Sequence, residues 1–390
     1  MSSPLLFSPL ALRGLELKNR VVVAPMHQYA GVNGFTTDWH LMNVGRFAAG
    51  GAGLVFVEST KVHRGGCGTV GDLGLWHDRF VPGMQRMVSL AHDCGAAIGV
   101  QLGHSGRKSR IARPWEGGRA LERTPEMAAL VPDWDDWELV APSALPADAR
   151  SPVPRALERH EIAALVEAWA SAARRADEAG FDTIEIHGAH GFLIHQFLSP
   201  EANQRTDAYG GSEANRFRFA LEVAEATRAA WPAAKPLFMR LSIEDDAGWT
   251  ADASARLARE LAARGVDVID CSAGGMRAGS PVPPDYGYQV PYAEKLRRES
   301  DVRTMAVGLI VHAEQAERIL REGRADLVAL AREILYNPNW PMDAARKLGL
   351  NGFDLVPPAG GWWLGKRADA VPSIAPSTYP FRSDQRTRPT

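Results

Sequence analysis

The chain has 390 residues, of which 45% are hydrophobic and 23% are charged, so it carries enough apolar material for a large buried core. A net charge of −2 gives no basic surface of the kind that nucleic acids or anionic membranes attract. No run of 18 apolar residues and no secretion signal is apparent, and three scattered cysteines are too few for a disulfide framework. We therefore expect a cytoplasmic protein with neither a nucleic-acid nor a membrane partner.

Eight short apolar runs predict buried β-strands. Each run is apolar at nearly every position, as in parallel strands that are covered on both faces. The runs are Arg20–Met26, Gly53–Ser59, Ala97–Leu102, Thr183–His187, Leu237–Leu241, Val266–Cys271, Arg303–Val307 and Asp326–Leu330.

Amphipathic segments alternate with these runs and predict helices. The clearest is His160–Ala179, in which apolar residues recur every 3.6 positions before Gly180 ends the helix. Ala251–Arg264 and Ala313–Glu322 are likewise followed by glycine. Eight strand–helix units in series predict a (β/α)8 TIM barrel of the α/β class. An open Rossmann sheet is disfavoured, because no Gly-x-Gly-x-x-Gly turn follows the first strand.

Three regions lie outside the plain barrel pattern. We expect residues 1–356 to form one barrel domain, with residues 5–19 as an N-terminal hairpin cap. Residues 105–158 follow the third strand and predict a lid or substrate loop on the carboxyl face. Residues 357–390 show no periodicity and predict a tail whose last twenty or so residues run over the surface or lack order.

Residues just past the carboxyl ends of barrel strands face the active site. Small residues after the last three strands, next to a cation, predict a phosphate site, because backbone N–H groups can approach an anion there. The alternative that these glycines only end strands stays open. The polar strand-end residues are His27, Gln28, Tyr29, Gln101, His104, Arg107, Lys108, His187, His190 and Arg240, and the phosphate candidates are Ser272–Gly275, Gly308, Ala331 and Arg332.

The pair His187 and His190 allows three interpretations. The i,i+3 spacing without a third ligand is a weak zinc signal, so we expect no metal. A structural pair is the second interpretation. We favour the third, in which both rings donate hydrogen bonds to a substrate oxygen. His195 is expected to be structural, and Glu185 is left unassigned between the barrel lumen and the helix layer.

Long motifs identify a resemblance to a known family. The matching segments are Ala24–Tyr29, Val57–Thr60, Asp72–Trp76, Gln101–Ser109, Arg113–Gly117, Glu185–Pro200 and Asn203–Phe219. On these motifs the chain resembles the Old Yellow Enzyme family of FMN-dependent ene-reductases. Within that family it resembles the thermophilic-like branch that includes the xenobiotic reductases.

The resemblance implies bound FMN, with NADPH or NADH as the hydride donor. Gln101 would contact the flavin pyrimidine edge, Arg240 would lie near N1 and O2, and Arg332 would hold the phosphate with nearby glycines. The full implied FMN set is Ala24, Pro25, Met26, His27, Ser59, Gln101, Arg240, Ser272, Gly274, Gly308, Ala331 and Arg332.

The resemblance also implies a substrate pocket in which His187 and His190 hold the acceptor oxygen. Tyr29, which with His27 completes the implied catalytic set, would line this pocket. The implied substrate-binding residues are Tyr29, Lys108, Trp115, Phe192 and, from a neighbouring subunit, Trp362, Trp363 and Arg367. This arrangement would make a homodimer or homotetramer; the alternative is that the tryptophans form a local patch on their own barrel.

Three positions depart from the family pattern. His27 stands where this branch usually has cysteine, and a histidine can be cationic near pH 6.5. Phe192 stands where the family has a proton-donating tyrosine, and a phenyl ring has no proton to give. Ala331 replaces a glycine that often precedes the phosphate arginine, which a helical backbone would tolerate.

Phe192 leaves three explanations open. In the first, Tyr29, His27 or a water supplies the proton. In the second, the acceptor is a quinone or nitro group that needs no proton on carbon. In the third, the enzyme catalyses a specialised reaction. The resemblance therefore implies an NAD(P)H-dependent FMN oxidoreductase acting through flavin N5 on small electron-poor acceptors, namely activated alkenes, quinones or nitro compounds. The alternatives are a catabolic enzyme for carbonyl desaturation or for reduction or oxygenation of an aromatic acyl thioester, a non-redox phosphate-binding barrel, and a flavin-binding protein without turnover.

Overall fold

A computed structural model describes residues 3–277 and 285–372. Its centre is a closed barrel of eight parallel strands that follow one another around the ring in chain order, which confirms the predicted (β/α)8 fold. The strands are β1 (Val21–Val23), β2 (Leu54–Lys61), β3 (Ala97–Gly103), β4 (Thr183–Gly188), β5 (Leu237–Ser242), β6 (Val268–Ser272), β7 (Arg303–Ala306) and β8 (Leu327–Leu330).

Helices between the strands form the outer layer. They are α1 (Asp38–Ala49), α2 (Val81–Asp93), α3 (Arg159–Ala179), α4 (Glu213–Ala230), α5 (Ala251–Ala263), α6 (Val290–Glu299), α7 (Ala313–Arg321) and α8 (Trp340–Lys347). Shorter helices are Pro125–Leu130, Leu193–Leu198 and Arg332–Tyr336, and a further helix is Pro358–Ala370. Single 3-10 turns are Leu5–Phe7, Arg64–Gly66, Asp78–Phe80, Gly106–Lys108, Pro114–Glu116, Trp134–Asp136 and Phe353–Leu355.

Two strand ends differ from the sequence prediction in ways that matter for the site. β1 stops at Val23 rather than Met26, because Pro25 has no N–H to donate to a neighbouring strand. β2 continues past Ser59 to Lys61, and its register with β3 shifts between Val57 and Thr60. Both differences place polar residues at the carboxyl rim.

An antiparallel hairpin of Leu10–Leu12 and Leu15–Leu17 precedes the barrel. Its leucines pack in one cluster with the lumen side chains of the strands, among them Phe56 and Phe238. These two rings meet edge to face with centroids 5.5 Å apart. The hairpin therefore closes the lumen with apolar side chains at the end of the barrel from which β1 starts.

The insertion after β3 has its own small core. Trp134 and Trp137 are buried with Val131 and Cys67, and the Trp137 indole donates to the Cys67 carbonyl oxygen at 2.6 Å. A short bridge between Val140–Ala141 and Arg155–Ala156 closes the segment. The lid role of residues 105–158 stays a prediction.

The carboxyl-terminal segment is more regular than its sequence indicated. Residues 358–370 form a helix, which the sequence analysis did not predict because this stretch has no apolar periodicity. Pro358 stands at the first helical position, where its fixed φ suits a helix, and Trp, Leu, Lys, Arg and Ala residues continue it. The last twenty residues of the predicted tail lie outside the described residues except for 371 and 372. In the described ranges, no helix is both long and apolar enough to cross a bilayer.

Candidate active site

Two cavities open at the carboxyl rim of the barrel. The larger has a volume of about 580 Å³ and is lined by residues that follow β6, β7 and β8, together with His190 and Arg240. The smaller has a volume of about 290 Å³ and is lined by residues after β1 and β3 and by Phe192. His187 is buried and lines neither cavity, but its ring lies between lining residues of both, with its centroid 5.2 Å from that of His190 and 4.8 Å from that of Phe192.

The residues predicted to hold a phosphate line the larger cavity. Ser272, Gly274, Gly308 and Arg332 all line it. Gly274 has a φ of +67°, and a Cβ built there would project into open space. Gly308 has a φ of +104°, a backbone conformation that favours glycine. The strand-end glycines therefore do more than end strands: they hold the backbone in turns that surround the cavity.

Ala331 adopts φ −117° and ψ −94°, so its backbone is not helical. The methyl group is nevertheless tolerated, because φ stays negative and avoids the left-handed region that strains a side chain. Arg332 then begins the short helix Arg332–Tyr336 on the cavity wall.

Arg240 lies between the cavity and a buried acidic pair. Its Nη1 is 3.2 Å from Asp270 Oδ2, while its buried Nε has no hydrogen-bond partner in the described part of the protein. Glu185, which the sequence left unassigned, faces the lumen and accepts a hydrogen bond from Gln101 Nε2 at 2.7 Å. This bond holds the Gln101 amide nitrogen, so its carbonyl oxygen is available as an acceptor.

Burial raises the pKa of Glu185 well above its usual range, and the charge of Asp270 raises it further. Burial also raises the pKa of Asp270, against the attraction of Arg240. These effects favour the protonated form of Glu185, while Asp270 is the carboxyl group that Arg240 contacts.

Hydrogen bonds hold the two histidines after β4 in place. The Ala189 N–H donates to His187 Nδ1 at 3.3 Å, which leaves the ring proton on Nε2. His190 has a φ of +60°; its N–H donates to Ser242 Oγ, and its Nε2 lies 2.7 Å from Ser272 Oγ. Such a strained residue needs the surrounding hydrogen bonds to stay in place.

Burial lowers the pKa of both histidines well below the ordinary value, with help from neighbouring positive charge. Both rings are therefore neutral at pH 7 and donate without carrying charge. His195 has the structural role expected of it: it is fully buried, its Nε2 lies 3.1 Å from Asp245 Oδ2, and the Gly191 N–H donates to its Nδ1.

Glu58 fixes the chain that leaves β1. Its Oε2 accepts from the Gln28 N–H at 2.8 Å, and its Oε1 lies 3.2 Å from His40 Nε2 on α1. His27, just before Gln28, therefore has a fixed backbone, and its ring stacks on Tyr29 with centroids 5.3 Å apart.

The surroundings of His27 disfavour a cationic ring near pH 6.5. Burial and then the positive charge of Lys61 lower its pKa below the usual value. The carboxylates of Asp72 and Glu58 act in the opposite direction but do not overcome these effects.

Sequence reasoning missed Lys61 entirely. This residue is fully buried, and its Nζ lies 3.4 Å from Asp72 Oδ2, 3.3 Å from His27 Nε2 and 3.0 Å from Ser59 Oγ. A lysine at the end of a strand that is buried on both faces is rare unless it is paired. The position of Lys61 at the end of the apolar strand β2 was the sequence signal that could have identified it.

Several predicted residues lie outside the two cavity walls. Pro25 and Met26 are partly buried after β1, whereas Ala24 is buried, and none of the three lines a cavity. Trp115 is largely exposed, with its ring 5.5 Å from that of Tyr29. The predicted neighbour-subunit residues stand on helix 358–370, and neither cavity of their own chain includes them: Trp362, Trp363 and Arg367.

Comparison with known proteins decides the family. Residues 5–351 match the NADH:flavin oxidoreductase / NADH oxidase family. The chain belongs to this family, as the Old Yellow Enzyme motifs indicated. It is 43% identical over 363 residues to an NADPH dehydrogenase of Geobacillus sp. (strain WCH70), covering 92% of this chain and 98% of that protein. It is 42% identical over 349 residues to an NADPH dehydrogenase of Listeria monocytogenes serotype 4a (strain HCC23), covering 88% and 95%.

Solved structures agree. Morphinone reductase matches with a TM-score of 0.73 and 30% identity, over 90% of this chain and 91% of that one. A 2-naphthoyl-CoA reductase complex matches with a TM-score of 0.78 but 24% identity, over 90% of this chain and 53% of that one, which shows the shared fold alone. The chain is an NAD(P)H-dependent FMN oxidoreductase, and the non-redox barrel is excluded.

The cavity residues fit FMN. The open space above Gly274 and the cation of Arg332 suit a phosphate, and the unpartnered Arg240 Nε suits an electron-rich ring edge. The free carbonyl oxygen of Gln101 suits a ring N–H.

Loss of the Arg332 charge should weaken FMN binding. A charge-assisted hydrogen bond contributes about 1.5–3 kcal/mol, so Arg332→Ala should raise the Kd for FMN by about 10- to 150-fold in fluorescence titrations. Arg298→Ala, at a largely exposed position on α6, is the matched control and should bind as the native protein does. An unchanged Kd for Arg332→Ala would place the phosphate elsewhere.

Buried neutral histidines should make the protein less stable in acid. Burial lowers the pKa of His104 well below its usual value, so below about pH 6.5 the unfolded chain binds a proton there that the folded chain does not. The free energy of unfolding should therefore fall as pH falls. Between pH 7.5 and 5.5, the free energy of unfolding measured in urea should fall by about 1.4 kcal/mol less for His104→Gln than for the native enzyme.

The glutamine can accept the Gly106 N–H bond that His104 Nδ1 accepts. His160→Gln, at an exposed position, is the control and should show the native loss. An equal loss in His104→Gln and the native enzyme would contradict the neutral state of His104.

Proposed function

We propose that this oxidoreductase reduces small electron-poor acceptors, namely activated alkenes, quinones or nitro compounds, whose oxygen lies between His187 and His190. The observation that carries this proposal is the pair of neutral histidines, with His190 in the wall of the larger cavity and His187 packed between it and Phe192 of the smaller one. Hydride chemistry is what bound FMN supplies at this rim.

The protein residues prepare the acceptor for hydride. Hydrogen bonds from two imidazole N–H groups withdraw electrons from a carbonyl or nitro group, so the carbon that receives hydride becomes more electron-poor. Because both rings are fixed by backbone and serine contacts, this stabilisation requires little reorganisation.

The smaller cavity sets the size of the acceptor. We assign acceptor binding to Tyr29, Phe192 and Lys108, whose side chains line it, and to Trp115 against the edge of Tyr29. The Lys108 ammonium donates to the carbonyl oxygens of His190 and Gly275, which ties the loops after β3, β4 and β6 together. Burial lowers its pKa to about 8.

We propose that the enzyme acts as a homodimer or homotetramer, in the cytoplasm. Trp362 and Trp363 are 54% and 67% exposed on helix 358–370, with Lys366 over the first ring. Adjacent exposed indoles favour burial against a partner subunit. We therefore assign Trp362, Trp363 and Arg367 to the pocket of a neighbouring subunit. The buried free thiols of Cys67 and Cys271 suit a reducing compartment.

This assembly predicts a shift in sedimentation. The native protein should sediment as a dimer or tetramer, and Trp362→Ser/Trp363→Ser should sediment as a monomer at micromolar concentration. Val153→Ser, another exposed apolar position, is the control. A native monomer would overturn the proposed assembly.

Removal of one donor should slow acceptor reduction. His190→Ala in the reduced, FMN-loaded enzyme should reoxidise with 2-cyclohexenone, p-benzoquinone and nitrobenzene about 10²- to 10³-fold more slowly in anaerobic stopped flow. His160→Gln should match the native rate. Reoxidation of His190→Ala at the native rate with all three acceptors would mean that the acceptor oxygen binds elsewhere.

A further inference from the structure

Lys61 is a cation without exposure to solvent at the end of β2. Its ammonium group lies 3.4 Å from Asp72 Oδ2. Asp72 is held rigidly, because its carboxylate accepts from the N–H groups of Gly68 and Thr69 and from Thr69 Oγ1. A buried ammonium needs such a carboxylate, since desolvation of an unpaired charge is costly.

His27 connects this buried pair to the smaller cavity. Its Nε2 lies 3.3 Å from Lys61 Nζ and 4.0 Å from Asp72 Oδ2, while its side chain remains 19% exposed and lines the cavity. Nδ1 has no hydrogen-bond partner in the described ranges. An ammonium can only donate, so Nε2 accepts from Lys61 and the neutral ring carries its proton on Nδ1.

The same group of side chains borders the acceptor. Lys61 Nζ lies 5.1 Å from the centroid of Phe192, whose ring packs on His187. The centroid of His27 lies 6.3 Å from that of Phe192. Tyr29 is a poorer proton donor, because burial and then the charges of Asp72 and Glu58 raise its pKa.

We propose that Lys61, acting through His27, supplies the proton that an activated alkene takes up on carbon after hydride has been delivered. This role rests on the proposed function. Lys61 is the proton source behind the ring, and His27 is the group that meets the substrate.

The step balances as a proton relay. The electron pair on the substrate carbon forms a C–H bond with the Nδ1 proton, and the Nδ1–H bond breaks. His27 Nε2 takes a proton from Lys61, which becomes a neutral amine, and the ring ends with its proton on Nε2. Water in the cavity then returns a proton to Nδ1, and Nε2 gives its proton back to Lys61.

The chemistry of the groups suits this task. A lysine ammonium and a tyrosine phenol have similar ordinary acidities, with pKa values of about 10, so an ammonium can replace a phenol as a proton source. The charged groups that face His27 are Lys61, Asp72 and Glu58. Their arrangement favours a neutral His27 ring that accepts a hydrogen bond from the Lys61 ammonium.

The first test compares two acceptors. With 2-cyclohexenone a proton must reach carbon, whereas with p-benzoquinone protons reach oxygen and can come from water. We expect Lys61→Met to lower the ratio of enone to quinone reoxidation rates by about 10²-fold or more, the typical contribution of a general acid. Lys235→Met, at another lysine paired with an aspartate, is the matched control and should keep the native ratio.

Because Lys61→Met leaves Asp72 buried without its cation, Lys61→Met/Asp72→Asn is the second variant. It removes both charges and should show the same loss of ratio. Phe192→Tyr should then be added to each Lys61 variant and to the native enzyme. The fold-increase in enone rate should be at least 10 times larger in the variants, because the new phenol can supply the proton that Lys61 no longer supplies.

The second readout needs no turnover. Nitrogen-15 NMR of the FMN-loaded enzyme, with His27 assigned by His27→Gln, should show the proton on Nδ1. In Lys61→Met/Asp72→Asn the ring should shift towards the Nε2–H form, and in Lys235→Met it should not.

Three results would overturn the relay: an Nε2–H ring in the native enzyme, an unchanged ratio in both Lys61 variants, or equal loss of the enone and quinone rates. A native enzyme that reduces the quinone but not the enone would also overturn it, while the proposed function would stand. A native enzyme that reduces none of the acceptors would instead refute the proposed function.

Discussion

The site depends on two buried cations, each balanced by one buried carboxylate. Arg240 pairs with Asp270 at 3.2 Å, and Lys61 pairs with Asp72 at 3.4 Å. Removing a cation from water costs several kcal/mol, and a fixed carboxylate offsets much of that cost. Arg240 also lines the larger cavity, and Lys61 hydrogen-bonds to His27, which lines the smaller one.

These pairs explain why the histidines stay neutral. Positive charge at both sides of the rim adds to the effect of burial, so His187 and His190 bind no further proton at pH 7. Neutral imidazoles are good donors to an acceptor oxygen, and Arg240 would supply the positive charge beside a bound, electron-rich flavin. Arg240 and Lys61 have different neighbours because they lie at the ends of different strands around the barrel.

Much of the fold could be predicted because each barrel strand is a near-continuous apolar run and glycine ends the main helices. Position along the chain was enough to place His187, Arg240 and Arg332 on one rim, since all parallel strand ends meet there. The end of β1 was missed because the apolar run continues through Pro25 although the ladder cannot. Helix 358–370 was missed because it buries no residue and therefore has no apolar stripe.

The state of His27 could not be predicted from the sequence. Its charge depends on Lys61, 34 positions away, and on Asp72, and only barrel closure brings them together. The motif around Ser59 was recognised, but it was taken to end before Lys61, so the cation that now explains His27 was overlooked. A substitution at one strand end is therefore interpretable only with its neighbours from adjacent strands.

The most direct test of the account is an FMN titration of the purified protein followed by anaerobic addition of NADPH. The account predicts saturation at one FMN per chain, a yellow complex, and loss of the blue absorbance band when NADPH reduces it. A protein that binds no FMN, or that binds it without reduction by either NADPH or NADH, would contradict the account.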